Sequence, residues 1–100
     1  MVTAVSDRLK PGEPLILRVV RAGDCPGTIH RNVIDAYTGQ AVWNEDARLV
    51  PGQERVFRFM VELPDLPPAH YAYMAHVELD CGQSDHMIFD SWPVPFTVTP

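Results

Sequence analysis

The chain is poor in long apolar runs and in basic charge, and each scarcity removes a class of protein. No apolar stretch approaches the roughly 20 residues that a membrane-spanning helix needs, so no membrane insertion is expected. Lys and Arg number eight against thirteen Asp and Glu, for a net charge of −5. The basic residues are scattered. A phosphate backbone needs a clustered basic face, so nucleic acid is not an expected partner, and neither is an anionic membrane surface. No C-x-x-C, H-x-x-x-H or G-x-S-x-G spacing occurs, which leaves zinc sites and the nucleophile elbow without sequence support. Heptads, internal repeats, low-complexity tracts and a convincing helix are missing as well. Met1–Val5 lacks the basic region followed by an apolar run that marks a signal peptide. The expectation is a cytoplasmic protein or a domain trimmed from a longer chain, with the second preferred.

What is present is alternation. In Glu54–Leu63, Phe57, Phe59, Val61 and Leu63 share one face, with Val56, Arg58, Met60 and Glu62 on the other. In His70–Cys81, Tyr71, Tyr73, Ala75, Val77 and Leu79 share a face opposite His70, Met74, His76, Glu78 and Asp80. A period of two with one apolar side describes a strand lying on a core. Leu15–Arg21 follows the same pattern through Leu15, Leu17 and Val19, and the closing segment does so through Val94, Phe96 and Val98. Ile29–Tyr37 reads as a strand with poor alternation, paired through Thr38-Gly39-Gln40 with a short strand at Ala41–Asn44. Val2–Val5 and Met87–Phe89 complete the set. Turn chemistry separates the segments at Lys10–Pro14, Ala22–Thr28, Pro51–Gln53, Pro64–Ala69 and Cys81–Asp85. Pro93 and Pro95 put the last strand at a sheet edge, or in a sheet only past Pro95. Edge pairing into a homodimer is a further alternative, against which these prolines look like protection. One hundred residues, 46% of them apolar, make one domain over residues 1–100. The predicted architecture is all-β: an immunoglobulin-like β-sandwich of about seven antiparallel strands in two sheets.

Residues that carry chemistry do not assemble into a catalytic motif, and no enzyme is expected. Ser84, Asp85 and His86 are consecutive, and neighbours on a strand point apart. Glu45 and Asp46 read as turn residues beside the hairpin. His70 and His76 stand six residues apart, about 20 Å at strand rise, too far to share a metal. Met74 and His76 with a third ligand from a neighbouring strand would suit copper, but a solvated polar face is the preferred reading, with no metal and no cofactor. Cys25 and Cys81 follow predicted strands at what reads as one end of the sandwich. A bridge, implying an oxidising compartment, and two separate reduced thiols both remain open. Exposed flat rings stack on sugars and anchor protein interfaces, which singles out Tyr37, Trp43 and Trp92. The alternative is that the two tryptophans cap the core.

The order of segments resembles a known family. Gly12-Glu13-Pro14-Leu15-Ile16-Leu17-Arg18-Val19 looks like the opening of many accessory sandwiches, and Asn32–Trp43 like their hairpin, with Asp35, Gly39, Val42 and Trp43 as the matching residues. Leu49-Val50-Pro51-Gly52-Gln53 before Val56–Phe59, Leu63–Tyr71, and Phe89-Asp90-Ser91-Trp92 before Phe96-Thr97-Val98 are similar to the segments that follow. Together they most resemble the C-terminal sugar-binding sandwich of ABC-transporter ATPases that export O-antigen polysaccharide. They also resemble the intracellular proteinase inhibitor sandwich. Ala69-His70 stands where the family has a glycine before the tyrosine. The resemblance implies a non-catalytic module that recognises a polysaccharide or glycan. No binding residue carries over from the family, because the shared positions are structural. The outward face of the strand His70–Asp80, with His76 and Glu78 on it and Arg58 and Glu62 alongside, would supply hydrogen bonds, and Tyr37, Trp43 or Trp92 stacking. The alternative is a protein-interaction or inhibitor module presenting the loop Ala22–Thr28 or Cys81–His86. Membership of a transporter ATPase implies the cytoplasm; a Cys25–Cys81 bridge implies an extracytoplasmic site.

Overall fold

The computed structural model describes residues 2–20, 25–49, 56–82 and 86–100. Every regular element among them is a strand: β1 (Val2–Ala4), β2 (Arg8–Leu9), β3 (Leu15–Val20), β4 (Gly27–Asp35), β5 (Ala41–Leu49), β6 (Val56–Val61), β7 (Ala69–Asp80), β8 (His86–Asp90) and β9 (Val94–Val98). They form two sheets. One runs β1-β3-β6; the other runs β2-β9-β7-β4-β5, with β8 also paired to β7. The turn at Pro51–Gln53 lies outside the described residues.

The inward positions follow the alternation. Leu15, Leu17 and Val61 of the first sheet meet Val33, Tyr71, Tyr73, Ala75, Val94, Phe96 and Val98 of the second in one buried cluster. Two sheets facing a shared core are compatible with a β-sandwich. Leu66, on the connection from β6 to β7, is also buried there, and the Tyr71 hydroxyl donates to the Pro67 carbonyl at 2.6 Å. That bond fixes the corner where the chain passes from the first sheet to the second. The Tyr71 ring stacks on Phe96 with centroids 5.7 Å apart.

Four details depart from the sequence reading, each for a physical reason. β4 alternates poorly because its inward position 31 is an arginine, only 4% exposed. Arg31 pairs with Glu45 directly across on β5 and lies beside the Tyr73 ring. β5 spans nine residues, so Glu45 and Asp46 are strand residues and not a turn. It is an outer strand whose charged side chains hide the apolar alternation, as edge strands commonly do. β2 has only two residues, too few for a periodic signal, and pairs parallel with β9.

The fourth departure lies at β8 and β9. β8 pairs with β7 through His76↔Asp90, and β9 pairs with the same edge of β7 through Tyr73↔Val94. Between those pairs, Met74 and Ala75 stand opposite Ser91, Trp92 and Pro93. One extra residue makes a β-bulge, and the inward parity changes across it. Ser91 locks the bulge by donating its N–H to the Ala75 carbonyl and accepting the Ala75 N–H on Oγ, both at 2.8 Å. β9 pairs from Val94 onward, so Pro95 does not delay the strand. The Thr97 and Thr99 N–H groups point away from β7, toward Asp7 and Leu9. Pro95, two residues earlier, turns its donorless nitrogen to that same side, where it costs no bond to β7.

Candidate functional site

The outward face of the larger sheet carries a row of four polar side chains in strict register. Asp46 on β5 stands opposite His30 on β4, His30 opposite His76 on β7, and His76 opposite Asp90 on β8. Antiparallel partners directly across share a face, so all four project to one side. His30 Nδ1 is hydrogen-bonded to Asp46 Oδ1. His76 Nδ1 donates to Asp90 Oδ1 at 2.6 Å, and its Nε2 approaches Glu78 Oε1 at 3.3 Å. The Asp90 bond foremost, and then the Glu78 bond, raises the His76 pKa above its ordinary 6.5.

A second row, Arg48–Thr28–Glu78–Ile88, runs beside the first. A third, Asn44–Asn32–Met74, runs on its other side. Between the strands lies an open groove of about 550 Å³, lined by Thr28, Ile29, His30, Asp46, Ala47, Arg48, His76 and Glu78. The bulge sits at the β8 side of this face and holds Trp92 90% exposed, two residues beyond Asp90.

The structure separates the residues that the sequence reading grouped. His76 and Glu78 line the groove, and Trp92 lies in the bulge after β8, outside that lining. Tyr37 is 95% exposed, at the tip of the β4–β5 turn. There Asp35 Oδ1 accepts the Tyr37 and Thr38 N–H groups, and Gly39 takes a left-handed φ of 73°. Trp43 pairs with Val33 on the inward face and packs against the core, so it is no platform on this surface. Arg58 and Glu62 do not lie alongside the groove. Arg58 is on β6 of the other sheet, opposite Arg18, and Glu62 follows the end of that strand. Both are exposed.

Thr28, His30, Asp46, Arg48 and Asp90 were not singled out as binding residues from sequence. Their signal is the register across β5, β4, β7 and β8, which no single strand displays. Met74 and His76 share the outward face, but among the described residues no three His, Cys, Asp or Glu side chains converge on a common point. Cys25 and Cys81 are bridged, with sulfurs 2.09 Å apart. The bridge ties the segment before β4 to the segment after β7, at the end of the sheet nearest the Thr28–Glu78 row. The chain matches no protein-family model and no curated protein.

Proposed function

We propose that the chain is a non-catalytic binding module of immunoglobulin-like fold that recognises a polysaccharide or glycan on the outward face of β5, β4, β7 and β8. The observation that carries the reading is the pairing of a polar groove with an exposed, bulge-mounted indole. Sugars present hydroxyls that need hydrogen-bond partners and C–H faces that stack on flat rings. His30, Asp46, His76 and Glu78 supply the former, and Trp92 supplies the latter. Tyr37 lies at the far end of the sheet, where an extended polymer has room to reach it.

Three features support the finer fold. The strand order β1-β3-β6 against β2-β9-β7-β4-β5 matches a two-sheet Greek-key sandwich. The first segment is split between the sheets. The Tyr71–Pro67 bond has the form of a tyrosine corner. The Cys25–Cys81 bridge supports an oxidising compartment. That favours an extracytoplasmic glycan-binding module over a domain of a cytoplasmic transporter ATPase.

The test is binding of the purified domain to a glycan array, with Trp92→Ala and His76→Ala run beside it. Saturable binding, lost by at least tenfold in Trp92→Ala with an unchanged circular-dichroism spectrum, is the expected result. One observation favours a second reading, a module that presents a loop to a protein. The disulfide joins Cys25 in the loop Ala22–Thr28 to Cys81 at the start of Cys81–His86; residues 22–24 and 83–85 of these loops lie outside those described. Absence of binding to any glycan, together with capture of one partner protein that Trp92→Ala leaves intact, would favour this reading.

A further inference from the structure

Building on the glycan reading, we infer that the groove selects ligands by their hydrogen-bond donors. It takes neutral or amine-bearing sugars and excludes carboxylated, sulfated and phosphorylated ones. The argument begins with which atoms face the groove. Asp46 and Glu78 are acceptors only when ionised, and each engages an imidazole through one oxygen, leaving the other for a ligand. His30 is hydrogen-bonded to Asp46 through Nδ1. Carboxylates thus face the groove from both β5 and β7.

The remaining donors of the lining belong to Thr28 and Arg48, register partners across β4 and β5. His76 brings positive charge, but it places a carboxylate at each ring nitrogen, so its donors are already used. Asp90 adds a third carboxylate one strand away. A sugar hydroxyl donates into this surface, and an ammonium group makes stronger, charge-assisted bonds. A ligand carboxylate, sulfate or phosphate has only acceptors to offer and would meet Asp46 and Glu78 as like charges. The exposed Arg18 and Arg58, opposite each other on β3 and β6, are the natural place for an anion, and they lie on the other sheet.

The experiment uses the whole chain and three sets of oligosaccharides of equal length: neutral hexose oligomers, glucosamine oligomers and galacturonic acid oligomers. Affinities are measured at low salt near neutral pH. The neutral or glucosamine set is expected to bind at least tenfold more tightly than the acidic set. Glu78→Gln replaces an acceptor oxygen by a donor amide at constant shape. It should narrow the gap between the glucosamine and acidic sets by about tenfold, the weight of one charged hydrogen bond. Acidic oligomers that bind as tightly as the others overturn donor selection and leave the glycan reading standing. Failure of all three sets, together with a blank glycan array, overturns the glycan reading itself. The comparison within the unmodified chain decides the matter even if Glu78→Gln fails to fold.

Discussion

His76 is the residue whose chemistry the fold alters most visibly. Asp90 from the next strand and Glu78 from its own strand both stabilise the imidazolium form, so its pKa lies above the ordinary 6.5. A group whose proton is held more tightly in the folded state adds stability that is fully present below pH 6.5. That stability is lost as pH rises through the raised value. An NMR titration of the histidine ring resonances should therefore find one midpoint above 6.5, and Asp90→Asn should move that midpoint down. A midpoint unaffected by Asp90→Asn would remove the pair as its cause. Tyr73 shows the same sign at higher pH. Burial pushes its phenol up to about 12, against the pull of neighbouring Arg31 in the other direction. The neutral ring is favoured in the fold, so stability should fall as pH climbs from about 10 toward 12. Following phenolate absorbance beside circular dichroism should show Tyr73 ionising together with unfolding. Independent ionisation of every tyrosine in the intact fold would contradict the burial.

Among the elements, the β4–β7 pair holds the groove together, and Gly27 starts it. A methyl group at Gly27 would overlap the carbonyl oxygen of Glu78 on the facing strand. Gly27→Ala should destabilise the fold by about 1–3 kcal/mol, the usual cost of overpacking, read as a lower urea midpoint. An unchanged midpoint would mean that the two strands separate there at no cost. This pairing also marks where the sequence stops being legible. β3, β7 and β9 were readable because one face of each is apolar at every second position. β4 was blurred by one buried arginine, and β5 was cut short by its own surface charge. Those features belong to pairs of strands, Arg31 with Glu45 and His30 with Asp46, and a single strand does not reveal its partner. The groove was half legible for the same reason. His76 and Glu78 stood out on the alternating strand β7, whereas Asp46 looked like a turn. Trp92 drew notice as an aromatic, but its exposure follows from a bulge that only the pairing of both β8 and β9 with β7 discloses.

At the scale of the molecule, the Cys25–Cys81 bridge closes a loop spanning 56 positions of sequence. On the chain-entropy account such a loop restricts the unfolded state by about 4 kcal/mol. Reduction, or the double change Cys25→Ser with Cys81→Ser, should lower unfolding stability by about 2–4 kcal/mol in a denaturant titration. A reduced protein with an unshifted midpoint would show that the bridge does not constrain the unfolded chain. The first segment links the two sheets by contributing a strand to each. β1 runs antiparallel to β3 in one sheet, and after three intervening residues β2 begins, running parallel to β9 in the other. Strands that run parallel, one near the start of the chain and one near its finish, are drawn past each other when the chain is pulled lengthwise. Their hydrogen bonds then bear load together instead of opening one at a time. A short contact, modest in thermodynamic weight, thereby acts as a mechanical clasp, which has to give way before a pull on the two ends can open the rest of the sandwich.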